Sequence, residues 1–134
     1  LSRTILGIDE AQGSLTLAGD VKQGSTVWLM QAGTDRLVSG AEDAAGDALI
    51  NGHQAPDART LAILVSCVGR KLVMGERTDE EIEAVAETLG PTVHLTGFYS
   101  NGEIAPGFTG GGCLLHNQTM TITLLRELPP PALA

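Results

Sequence analysis

Hydrophobic positions along this 134-residue chain fall into short runs, separated by turns rich in glycine, proline and acidic residues. The opening RTILGIDEAQGSLTLAG places two apolar runs around Asp9-Glu10-Ala11-Gln12-Gly13, which predicts a hairpin with Gly13 at a bulge position. A polar connection over 20–24 follows, and Val27-Trp28-Leu29-Met30 reads as a buried strand. From Asp35, apolar residues recur at Leu37, Val38, Ala41, Ala44, Ala45, Ala48 and Leu49, the three-and-four spacing of an amphipathic helix. Thr34 suits its N-cap and Gly52 its far end. Residues 53–59 read as a loop. Leu61 to Val65 is then an unbroken apolar run, as expected of a central strand covered on both faces. Two strands joined by a helix predict a parallel, right-handed crossover.

The second helix has the clearest boundaries. Thr78 and Glu81 have capping-box spacing, Asp79 and Glu80 suit the positive end of the helix dipole, and Gly90-Pro91 stop the helix. Ile82, Val85, Ala86 and Leu89 form its expected buried stripe. Val93 to Tyr99 predicts another strand, and the alternation in Thr119 to Leu125 predicts the last, half exposed through its threonines. The expected fold is mixed α/β: a central mixed sheet of about five or six strands, two main helices and an N-terminal hairpin. It forms a single domain over 1–127, with a proline-rich tail over 128–134.

Composition narrows the function. A net charge of −8 with no basic block argues against nucleic acid and anionic lipid, which need clustered Lys and Arg. No apolar run approaches the ~20 residues of a membrane span. Two cysteines, Cys67 and Cys113, make no disulfide framework, so a reduced, cytoplasmic setting is expected. The start at Leu1 and the end in PPPALA read as a piece of a longer protein.

The chain's scarce chemistry is concentrated in two places. Ser66-Cys67-Val68-Gly69-Arg70 follows the apolar run of the central strand. The second place is GFYSNGEIAPGFTGGGCLLHNQT, residues 97–119, which holds the only Tyr, one Cys and one His. Ligands of α/β sheets bind beyond the carboxyl ends of strands. If the strand ending near Tyr99 is parallel and the last strand antiparallel, three polar motifs meet at one rim. Each residue also has a structural reading. Cys67 can be a small buried hydrophobe, and Arg70 can pair with an acid of this chain. Tyr99 can be packing, Glu103 a loop charge, and His116 and Asn117 ties for loop backbone. Gly111 and Gly112 can be slack, or can let backbone amides approach a ligand.

SCVGRKLVMGERTDEE, GFYSNGEIAP and GGGCLLHNQTMTITLL, in this order, resemble the C-terminal domain of FIST (F-box and intracellular signal transduction) proteins. The opening ILGIDEAQGSLTLAGDVKQGSTVWLM is similar to the start of that domain, so the resemblance spans roughly Ile5 to Leu125. Departures are small: Asn101 stands where an aromatic is common, and Gly-Phe-Thr is added after Pro106. The resemblance implies a sensory input module that binds small ligands such as amino acids. It also implies an N-terminal FIST domain as partner, which this chain does not contain.

The residues and the resemblance together lead to a ligand-binding sensory domain without catalysis, cofactor or metal. The expected ligand-binding residues are Cys67, Arg70, Tyr99, Glu103, Gly111, Gly112, His116 and Asn117. Arg70 would grip a carboxylate, and its replacement by Ala should abolish binding while leaving the fold intact. Glu103 would hold an ammonium group. The alternative is a cysteine-dependent enzyme, with Cys67 as nucleophile, His116 as base and Glu103 or Asn117 as orienter. A metal site on Cys113 and His116, with Glu103, is a further alternative, but Cys-x-x-His by itself offers two ligands and zinc takes at least three from protein. An exposed strand edge, or surface left by the missing domain, would favour a homodimer of the fragment.

Overall fold

The computed structural model describes residues 2–51, 60–106 and 112–127. Seven strands and three α-helices are present among them. The expected N-terminal hairpin forms from β1 (Ile5–Asp9) and β2 (Ser14–Leu17), with Gly13 at φ 60° and the Gln12 amide donating to Asp9 Oδ1. Arg3 ties this hairpin to the rest of the chain by donating to the carbonyl of Leu115 at 2.8 Å. The amphipathic spacing becomes α1 (Thr34–Asn51), whose first bonds go to the carbonyl of Gly33. Gly52 and the predicted 53–59 loop lie outside the described residues.

The apolar run is β3 (Thr60–Cys67), followed by a short helix α2 (Val68–Met74) that periodicity did not signal. A 3-10 turn over Gly75–Arg77 leads into α3 (Asp79–Leu89). Next come β4 (His94–Ser100), β5 (Glu103–Pro106), β6 (Cys113–His116) and β7 (Met120–Arg126). The central sheet is mixed and three-stranded, in the order β4-β3-β7, with β4 parallel and β7 antiparallel to β3. The remaining strands pair as two separate hairpins, β1-β2 and β5-β6.

Two local expectations fail. Val27 to Met30 forms no strand, and its side chains are 66–88 % exposed. The parallel crossover therefore comes one unit later, from β3 through α2 and α3 to β4. The capping box is also absent. Thr78 is already helical at φ −64° and donates to the carbonyl of Gly75, because the 3-10 turn runs straight into α3. Glu81 is then free to turn inward. Gly90 ends α3 as expected, with its amide on the carbonyl of Ala86.

The core lies on one face of the sheet. Ala41 and Ala45 of α1 and Val85 and Leu89 of α3 pack on Ala62, Leu64 and Met120. Alanines at the α1 contact let helix and sheet approach closely. Each larger side chain buried there contributes roughly 1.5–3 kcal/mol. On β3 the even positions are buried, while Leu61, Ile63 and Val65 on the opposite face are only half-buried.

Candidate functional site

The topology brings the three polar motifs to one rim. The carboxyl ends of β3 and β4 lie side by side, with Ser66 opposite Tyr99 and Cys67 opposite Ser100. The amide of Cys67 donates to the carbonyl of Thr119, just before β7. Strand alternation then divides the side chains into two groups.

The first group centres on Glu81, whose side chain is fully buried. Nε and Nη2 of Arg70 both lie 2.9 Å from its Oε2. Ser66 Oγ and Tyr99 Oη donate to its Oε1 at 3.0 and 2.9 Å. Arg70 Nη2 also donates to the carbonyl of Leu37 in α1 at 2.7 Å. Arg70 is itself only 4 % exposed, so its carboxylate partner is internal. Burial, and secondarily the carboxylate of Glu81, push the phenol of Tyr99 up to about 12. Tyr99 therefore remains a neutral donor at physiological pH. The ammonium of Lys71 lies 5.0 Å from the centre of its ring.

The second group centres on Glu103, 2 % exposed. It accepts from Ser100 Oγ at 2.6 Å, Thr119 Oγ1 at 2.8 Å and the Thr119 amide at 3.4 Å. His116 stands opposite it across the β5-β6 ladder and is buried. Asn117, also buried, donates through Nδ2 to the carbonyl of Asn101, and its Oδ1 meets no donor among the described residues. Gln118 adopts φ 61°, unusual for a residue with a side chain. Its amide packs against Gly69, where a Cβ would come within 2.4 Å of Nε2.

Tyr99 and Ser100 are consecutive in β4, so their hydroxyls reach carboxylates on opposite faces of the sheet. One small guest cannot be held by Arg70 and Glu103 together; this corrects the expected pairing. Cys67 has its thiol buried behind the rim at 3 % exposure. Cys113 and His116 are three apart in a strand and point to opposite faces, and Cys113 is exposed while His116 is buried. They do not converge on a metal. Gly112 faces open space, and Gly111 lies outside the described residues.

Glu81 and Ser66 were missed as site residues, although both carried a signal. Glu81 stands four and eight residues before Val85 and Leu89, on the buried stripe. Ser66 continues the buried alternation Thr60, Ala62, Leu64. Ser100 and Thr119 had no comparable signal, because the β5-β6 hairpin that buries Glu103 was itself read as loop.

A groove of about 230 Å³ opens between α3 and β4, which pairs only with β3 among the described residues. Leu64, Ile82 and Leu95 form its apolar wall, and Ser66 and Tyr99 its polar end. Gly97 lets the two strands close along it: a Cβ there would lie 2.0 Å from the carbonyl oxygen of Leu64. No helix among the described residues is long and apolar enough to cross a membrane.

No curated protein and no solved structure matches the chain. The family model described as FIST C domain matches residues 1–106, which is most of its length. The chain therefore belongs to the FIST C domain family, associated with sensory roles in signal transduction.

Proposed function

We propose that this domain is the ligand-binding part of a sensor, without catalysis, and that its ligand lies in the groove beside Tyr99. The observation that carries the reading is the pairing of an apolar wall with a pinned phenol. The proton of Tyr99 is committed to Glu81, so its oxygen offers a lone pair to an N–H or O–H of a guest. Lys71 stands over the same ring and can meet a carboxylate at the mouth of the groove. A small zwitterion with an apolar side chain, such as an amino acid, matches that order of groups. Arg70 acts here as a positioning residue: it fixes Glu81, which fixes Tyr99. A site of this size, using one or two charged hydrogen bonds of roughly 1.5–3 kcal/mol each, gives the weak affinity suited to sensing.

The test is a thermal-shift screen with amino acids and small carboxylates. A true ligand at a hundred times its dissociation constant adds about 2.7 kcal/mol and raises the midpoint by several degrees. Tyr99→Phe and Ile82→Lys should each remove that shift while the protein stays folded. A shift that survives both substitutions places the ligand elsewhere, and no shift with any compound removes the reading.

A further inference from the structure

Val27-Trp28-Leu29-Met30 has the composition of a buried strand, yet it stands in irregular structure with exposures of 66, 80, 83 and 88 %. Four consecutive apolar residues can be buried as a strand only at an edge with apolar surface on both sides. The molecule carries such an edge. β7 pairs with β3 alone among the described residues, and a groove of about 540 Å³ runs along its other side. Ala44 and Ala48 of α1 wall this groove on the core face, Ile104 to Pro106 of β5 wall it on the other, and Ile122 and Leu124 lie in its floor. The edge stretch Thr121-Ile122-Thr123-Leu124 holds none of the charges or prolines that guard free edges.

We infer that Val27 to Met30 of a second copy of this chain adds as a strand to the free edge of β7, and that the two copies exchange this strand reciprocally. Exchanged reciprocally, the strand and the edge of each copy are both filled, and the pair closes about a two-fold axis. Trp28 offers roughly 150–250 Å², and Val27, Leu29 and Met30 extend the same surface. Two reciprocal contacts, each counted with the groove it covers, therefore reach on the order of 1,200–2,000 Å², the size of a specific interface. The strand is uncharged and the groove wall carries one charge, Asp47 of α1, so the net charge of −8 opposes association. Added salt should therefore tighten the dimer. A basic partner in this groove would respond in the opposite way.

Trp28 is the only tryptophan and reports directly on the exchange. Sedimentation mass and Trp28 emission are measured on the purified chain across a dilution series. The expected result is twice 13.9 kDa at high concentration, with Trp28 emission moving to the blue in step with mass. Leu29→Asp in the strand and Ile104→Asp in the groove wall both alter exposed side chains, at 83 and 71 %, and leave the fold intact. Each should weaken the dimer about tenfold or more. A mixture of the two should associate more tightly than either alone, since the mixed dimer keeps one intact strand-groove contact. A monomer with solvent-exposed Trp28 at every concentration overturns the inference. So does a monomer with buried Trp28, which places the strand on its own chain's edge. A dimer in which neither substitution matters also overturns it.

Discussion

Glu80 and Glu81 are neighbours on α3, and each meets an arginine, yet the two pairs have opposite characters. Glu80 lies with Arg77 and Asp35 at the surface, 2.6 Å from Arg77 Nε, with side chains 37 and 51 % exposed. That arginine holds the carboxyl of Glu80 below its ordinary range and is itself shifted upward by Glu80 and Asp35. Glu81 points inward to Arg70, at 0 and 5 % exposure, and collects two hydroxyls besides. Rotation by 100° between consecutive helical positions produces this difference. Water screens the first pair, while the second is worth having only because every member is satisfied.

The sharpest way to break the comparison is to remove one member of each pair. Arg70→Ala leaves Glu81 buried and uncompensated, and should cost about 3–5 kcal/mol. The thermal midpoint should then fall by on the order of 10 °C or more. The sequence-based expectation was that this variant stays folded; the buried pair with Glu81 adds a lower midpoint. If the buried pair is a cost as well as a tie, Arg70→Met with Glu81→Leu should destabilise less than Arg70→Met alone, as read by denaturant midpoint. Equal losses would show that Glu81 is held chiefly by Ser66 and Tyr99. Tyr99→Phe should cost about 1.5–3 kcal/mol, the worth of one hydrogen bond to a charged group.

Tyr99, as the only tyrosine, also permits a direct titration. Phenolate absorbance should rise with a midpoint near about 12 in the folded protein and near ~10 once unfolded. The folded pKa is the higher one, so the stability tied to this proton is complete below the unfolded value. It is lost as pH climbs from there through the folded midpoint. Glu81→Gln should move that midpoint back toward ~10. The smallest effect belongs to the exposed pair. Arg77→Ala should barely move the thermal midpoint, and whatever change it makes should vanish in high salt.

The two regions differ equally in how far the sequence revealed them. The α1, α3 and β3 patterns were legible because each carries its own periodicity over many residues. The same holds for the first hairpin, where Gly13 marks the turn. The β5-β6 hairpin was not legible, because Ile104, Leu114 and Leu115 are exposed and alternate too briefly to separate from loop. Val27 to Met30 misled for the opposite reason: four apolar residues describe a strand, but not the neighbour it needs. At the candidate site, the rim itself was foreseen from strand directions. The partners of Arg70 and Glu103 were not.

The sequence by itself settled the elements with a long pattern of their own, the first hairpin, α1, β3, α3, β4 and β7, and the turns that Gly13 and Gly90 mark. Those properties come from local periodicity, which neighbouring residues fix among themselves. Only the tertiary structure decided that Arg70 answers Glu81 rather than Glu103. Such a choice depends on which face of a sheet each side chain leaves from, and on how far one helix is rotated above it. Contacts across dozens of residues set that rotation, through the close seating of α1 and α3 on β3, and no short stretch of chain encodes it.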